Sequence, residues 1–166
     1  MNSVSLVGGV VTPGRFPMSD NSFSVLDLVA QGGGVRPLLV NPKVKLQRRG
    51  QIFVTSISTL YEDPRKNAIL RGGDQVIIEE DRRYFLSLGA SGSETLHRFP
   101  KDFVSAADAM AISGGVLDSR ADPGGVLILR EYPASAIGDD RPGPDKERVV
   151  FSIDLTSTDG LFAAKT

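Results

Sequence analysis

Short apolar runs alternate with glycine- and proline-marked breaks along this chain. Val4-Ser-Leu-Val7 reads as a strand, followed by the turn residues Gly8-Gly9 and Pro13-Gly14. Val25, Leu26, Leu28 and Val29 then form the apolar face of a helix. Ser24 stands at its N-cap with Asp27 in the capping-box position, and Gly32–Gly34 stops it where left-handed backbone is wanted. Lys43-Val-Lys-Leu-Gln-Arg-Arg49 alternates strictly, and Gln51-Ile-Phe-Val-Thr55 resumes after Gly50, the pattern of a hairpin. Ile57–Tyr61 reads as a helical turn. Asp63-Pro64, Asn67, Leu70 and Gly73-Asp74-Gln-Val76-Ile-Ile78 supply a turn, an apolar anchor and a closing strand.

The same pattern then recurs. Asp27 and Asp108 lie 81 positions apart, as do Gly33 and Gly114, and from Arg48 to Arg130 the offset is 82. Arg83-Tyr-Phe-Leu-Ser-Leu88 opens the second copy. Ser105 and Asp108 repeat the cap, Ala106, Ala109, Met110 and Ile112 the apolar face, and Gly114-Gly115 the stop. The second hairpin, from Val126 to Arg130 and from Val149 to Asp154, is interrupted at about 133–147 by a stretch rich in Pro, Gly and charge that reads as a mobile loop. Leu155–Ala164 starts the equivalent of Leu60–Leu70. The closing Gly-Asp strand has no counterpart before Thr166, so the second copy looks truncated and the chain like an excerpt. A long period seen twice predicts two small domains, 1–81 and 82–166. Each is expected to be α+β, a mixed sheet with one packed helix in a β-grasp-like arrangement.

Composition narrows the function classes. Nineteen basic residues against 20 acidic ones leave a net charge of −1, without the basic excess of a nucleic-acid binder. With no Trp and three Tyr there is no evident aromatic platform for bases or sugars. The absence of Cys excludes disulfides, thiolate metal sites and cysteine nucleophiles. No apolar run approaches the ~18 residues that a membrane-spanning helix needs.

Candidate chemistry is sparse. His97 stands alone, without the partners of a metal site or a nucleophile relay, and reads as surface or structural. Gly89-Ala-Ser91-Gly-Ser93 has Ser where a nucleophile elbow needs its last Gly. Gly32–Gly34 follows a helix instead of opening one and lacks the Gly-Lys-Ser/Thr of a phosphate loop, so Gly33, Gly34, Gly114 and Gly115 read as caps. Asn67 and Asp74 read first as turn builders and second as ligand groups. No catalytic residue, metal or cofactor is expected. The one contrast that suggests a surface lies in the alternating strands. Lys43, Lys45 and Arg49 share a face that is expected to meet solvent or an anionic partner. In the second copy Leu127, Leu129 and Glu131 occupy the places of Lys45, Gln47 and Arg49. Leu127 and Leu129 are therefore expected at a domain or subunit interface, or beneath a local loop.

Four strings taken in order carry a family resemblance. They are Gly8-x-x-x-x-Pro13-Gly14, the helix ending in Gly33-Gly34, Val44-x-Leu46-x-Arg48, and Asp63-Pro64-x-x-Asn67-x-x-Leu70-x-x-Gly73-Asp74-x-Val76. Together they resemble the Wza-like polysaccharide export proteins of Gram-negative outer membranes, which carry tandem soluble-ligand-binding β-grasp (SLBB) domains. The resemblance implies a homo-oligomeric ring on the periplasmic side of the outer membrane, through which capsular or exopolysaccharide passes, and a polysaccharide export partner in the inner membrane. It implies a non-enzymatic wall or gate. The alternative is a free-standing periplasmic module that binds a soluble glycan or small ligand. The chain departs from the family pattern in having no export domain, lipidated cysteine or membrane helix, and Gly92-Ser-Glu94 replaces the second Pro-Gly turn.

Overall fold

Alternation in the first strand, β1 (Ser3–Gly8), sends Val4 and Leu6 to one side, where both are buried. A computed structural model describes residues 2–115, 121–138 and 143–165. It has the α+β architecture expected from the sequence, with its elements divided between two units. The first comprises Met1–Tyr84 with Arg98–Phe103, the second Phe85–His97 with Val104–Thr166.

In the first unit β1 is followed by β2 (Gly14–Pro17), α1 (Val25–Gln31), β3 (Lys43–Arg48), β4 (Gln51–Ser56), α2 (Ile57–Glu62), a 3-10 turn (Pro64–Lys66) and β5 (Gln75–Glu79). One five-stranded sheet runs in the order β2-β1-β5-β3-β4. The last strand in sequence is thus the central one, parallel to β1 and antiparallel to β3. Its Val76 lies opposite Leu6 and Leu46, and its Ile78 opposite Gly8 and Val44. Both are fully buried, a contribution of about 1.5–3 kcal/mol each. Val25, Leu28 and Val29 of α1 close the core from the other side.

Two glycine requirements are visible here. At Gly8 φ is +90° and a Cβ would stand 2.1 Å from the Ile78 carbonyl oxygen, so only glycine lets β1 and β5 approach. Gly33 and Gly34, at φ +78° and +85°, end α1, and the Gly34 amide reaches back to the Val29 carbonyl. Ser24 and Asp27 form a complete capping box at the other end.

The second unit contains β6 (Tyr84–Ser87), β7 (Thr95–Arg98), α3 (Ala106–Ile112), β8 (Val126–Glu131), β9 (Arg148–Ile153) and α4 (Thr158–Ala163), with β6 and β7 reaching one residue past its bounds. Its local grammar repeats the first: a capping box from Ser105 and Asp108, Gly114 and Gly115 at positive φ after α3, and Gly115 bonded back to Met110. Ser157 caps α4 as Ser56 caps α2. The sheet differs. β6 pairs with β7 and β8 with β9 in two separate ladders. Among the described hydrophobic residues of this unit, only Ile153 and Ala164 are buried. Within the stretch expected to be mobile, 139–142 lie outside the described residues, and Ala134–Ala136 form a 3-10 turn.

Candidate functional site

The densest polar chemistry lies at one end of the first unit's sheet. Asn41, in left-handed backbone at φ +45°, turns the chain into β3, and Lys43 follows it. Ser56 ends β4 and caps α2, which carries Thr59 one turn on. Asp81 and Arg83 follow β5, and the segment from Arg98 to Phe103 brings Asp102 to the same place.

Two carboxylates organise these groups. Asp102 accepts hydrogen bonds from Lys43, from Asn41 Nδ2 at 3.1 Å, from Ser56 Oγ at 2.5 Å and from Thr59 Oγ1 at 3.0 Å. Asp81, only 4% exposed, accepts Asn41 Nδ2 at 2.8 Å and Arg83 Nη2 at 2.7 Å, with Lys43 Nζ at 3.5 Å. The Arg83 guanidinium also lies 4.9 Å from the centre of the Phe99 ring, within cation–π reach. Hydrogen bonding from Arg83 holds the Asp81 carboxyl down at about 2 against the opposing effect of burial. Burial pushes Asp102 up, but its bonds from Lys43, Ser56, Asn41 and Thr59 prevail and hold it well below the ordinary carboxylate range. Both groups are anions whose acceptor sites are occupied within the fold. They are locks between segments, not free acids or bases. Beside them Lys43, Val54, Glu79, Glu80, Asp81, Arg82, Arg83 and Asp102 line an open depression of about 530 Å³.

The face expected to be basic is therefore largely neutralised. Lys43 is committed to Asp102 and Asp81, and Lys45 Nζ sits 2.5 Å from Glu79 Oε1. Arg49 lies beyond the strand, exposed, in the positive-φ turn that Gly50 completes. Leu127 and Leu129 project from β8, 58% and 76% exposed, opposite Ser152 and Val150 of β9. Asp74 is 3% exposed and paired with Arg48. Asn67 accepts from the Leu26 amide and donates to Ser24 Oγ, so it steadies the start of α1. His97 stacks on Phe85 at 4.9 Å and bonds Ser87 Oγ at 2.9 Å. Asp81 and Asp102 carry no motif and escape sequence reasoning. Among the described residues no group of His, Cys, Asp and Glu could hold a metal ion, and no helix is long and apolar enough to cross a membrane.

No family model matches the chain. Over 119 residues, 72% of its length, it is 36% identical to the capsule polysaccharide export protein BexD of Haemophilus influenzae, covering 30% of that protein. Over the same extent it is 32% identical to the capsule polysaccharide export outer membrane protein CtrA of Neisseria meningitidis, again covering 30%. It is 22% identical over 160 residues, 96% of the chain, to the Vi polysaccharide export protein VexA/TviF of Salmonella typhi, 44% of which is covered. The chain spans about a third of the length of the first two relatives, and it is homologous to that portion of the capsule polysaccharide export proteins.

Proposed function

We propose that this chain is part of the periplasmic wall or gate of a capsule polysaccharide export assembly at the outer membrane, and that it acts on its cargo without catalysis. The observation that carries this reading is the outer face of the β8–β9 hairpin, where Leu127, Leu129 and Val150 stand exposed in a homologue of export proteins. An apolar stripe of this kind is what neighbouring subunits bury on assembling into a ring. The first unit contributes the complementary property. Its strongest polar groups are satisfied by one another, which leaves only weak contacts for a hydrated glycan, and weak contacts let a polymer pass without stalling. A polysaccharide export partner in the inner membrane completes the path. The test is sedimentation of the chain with and without Leu127→Asp and Leu129→Asp, together with surface capsule in cells carrying the same changes in the full-length protein. Self-association and capsule display are expected to fall together. Unchanged assembly and solubility would remove the interface, and the ring with it.

The depression beside Asp81 and Arg83 favours a second reading, a periplasmic module that captures a soluble glycan. Saturable oligosaccharide binding by a monomer that ignores the leucine substitutions would establish it in place of the first.

A further inference from the structure

The first unit holds a second depression, at the end of its sheet away from Asp81 and Asp102. Three chain segments meet there: the approach to β1, the loop from β2 to α1, and the approach to β5. Asn2, Met18, Asn21, Ile69, Arg71 and Gly72 are among the residues that line it, and its volume is about 410 Å³. Small-molecule sites occupy roughly 300–1,000 Å³. The walls are tied together through the main chain. Met18 N donates to the Asn2 carbonyl at 3.0 Å, Leu70 N to that of Phe23 at 2.8 Å, and Gly73 N to that of Ser3 at 2.9 Å. Asp74 holds the Arg71 amide at 2.8 Å, and Arg48 Nη2 holds the Ile69 carbonyl at 2.7 Å. The cleft is therefore built into the fold of the first unit.

Its polar side chains, unlike those of the Asp81–Asp102 cluster, are uncommitted. Lys43, Lys45, Arg48, Arg65 and Arg83 each meet a carboxylate. Among the described residues the Arg71 guanidinium has no ion pair or hydrogen bond, and the side chains of Asn2 and Asn21 have no hydrogen bond. Asp20, beside Asn21 in sequence, does not line the cleft, and its Oδ1 accepts from the Ser22 amide at 2.7 Å and Ser22 Oγ at 2.6 Å. Ile69, 47% exposed, and Met18, half-buried, add apolar surface.

We infer that this cleft is a subsite for one acidic sugar residue of a glycan. Arg71 pairs with a carboxylate or phosphate on the sugar, the Asn2 and Asn21 amides meet its hydroxyls, and Ile69 and Met18 lie against the C–H face of its ring. That the glycan is the polysaccharide in export rests on the reading above. A neutral sugar would leave the guanidinium without a partner. A bare inorganic anion would leave both amides and the apolar surface idle. One exposed ion pair gives a weak hold that salt screens, which suits a polymer that must move on.

The test is a titration of the isotope-labelled full chain, followed by amide chemical shifts, with tetragalacturonate, its neutral methyl ester and glucose 1-phosphate. Saturable shifts centred on Asn21, Ile69, Arg71 and Gly72 are expected with at least one of the two acids, and the stronger of them identifies the acidic group. The ester is expected to bind much more weakly. Arg71→Gln should weaken binding by about fivefold or more and Arg71→Lys by less, since lysine keeps the charge without the bidentate fork. Arg71 is exposed, and an otherwise unchanged spectrum verifies the fold of each variant. The inference is overturned by absence of saturable shifts, by equal binding of acid and ester, by indifference to Arg71→Gln, or by shifts centred on Lys43 and Arg83 instead. Absence of binding alongside leucine-dependent self-association overturns this inference alone. Binding at the cleft without that self-association overturns the ring and upholds the subsite.

Discussion

Arg48 grips both carboxylate oxygens of Asp74, with Nε 3.0 Å from Oδ1 and Nη2 2.6 Å from Oδ2, while the same Nη2 reaches the Ile69 carbonyl at 2.7 Å. Asp74 also accepts the Arg71 amide at 2.8 Å. One buried carboxylate therefore shapes the turn before β5 and fastens it to the end of β3. Asp74→Ala is expected to destabilise the first unit by about 3 kcal/mol or more, because it strands a largely buried guanidinium without its partner. Asp74→Asn should cost less. Urea denaturation measures both, and a loss of under about 0.5 kcal/mol for the alanine variant would show the pair to be idle.

Acid should loosen the first unit through Asp81. Its carboxyl sits at about 2 in the fold and at 3.8 ordinarily, so on acidification the unfolded chain takes up the proton first. The contribution is fully present above pH ~4 and disappears as pH falls towards 2, up to about 2 kcal/mol in all. Asp102 is shifted in the same direction and adds to the fall. Melting temperature followed between about pH 6 and pH 2 should drop chiefly below pH 4, and Asp81→Asn should flatten that drop. An unaltered profile in the variant would assign the acid sensitivity elsewhere.

Gly8→Ala and Gly89→Ala should separate cleanly. Both residues have positive φ, which costs an alanine about 1 kcal/mol. Only at position 8 does the new methyl also collide with a backbone oxygen, that of Ile78. Differential scanning calorimetry should show a severe loss for the first variant and a mild one for the second. Equal losses would mean that the approach of β1 to β5 is less tight than the geometry has it.

Ser24→Ala and Ser105→Ala each remove one capping box. Each should cost about 1 kcal/mol of helix stability. The larger effect is expected at Ser24, which is also bonded by Asn67, and Ser24→Asp should restore most of it. Circular dichroism during thermal unfolding provides the comparison.

The elements were legible wherever the signal is local. Ser24 with Asp27, Ser105 with Asp108, the glycines after each helix and the alternation from Lys43 to Arg48 all announce themselves within a few residues. The polar cluster was not legible because its partners are far apart: Asn41 is 40 positions from Asp81 and 61 from Asp102. Alternation placed Lys43 and Lys45 on one face but could not name the anions that meet them. Glu79 lies on β5, a neighbour only once the sheet order is known. The contrast between that face and Leu127 and Leu129 could be read from the internal repeat, since it needed only the offset between copies.

A centre that comes last has a kinetic meaning. β1 and β5 are parallel neighbours, yet Ser5 pairs with Gln75, seventy residues further on. The β1–β2 and β3–β4 hairpins form from nearby residues, whereas the contact that unites them must close a long loop, the slow kind of step in folding. At ordinary rates of translation the nascent chain waits on the order of ten seconds between making β1 and making the strand that seals it. For that interval the apolar side of the β1–β2 hairpin lies open, and the first unit cannot close its core until its last strand has been made.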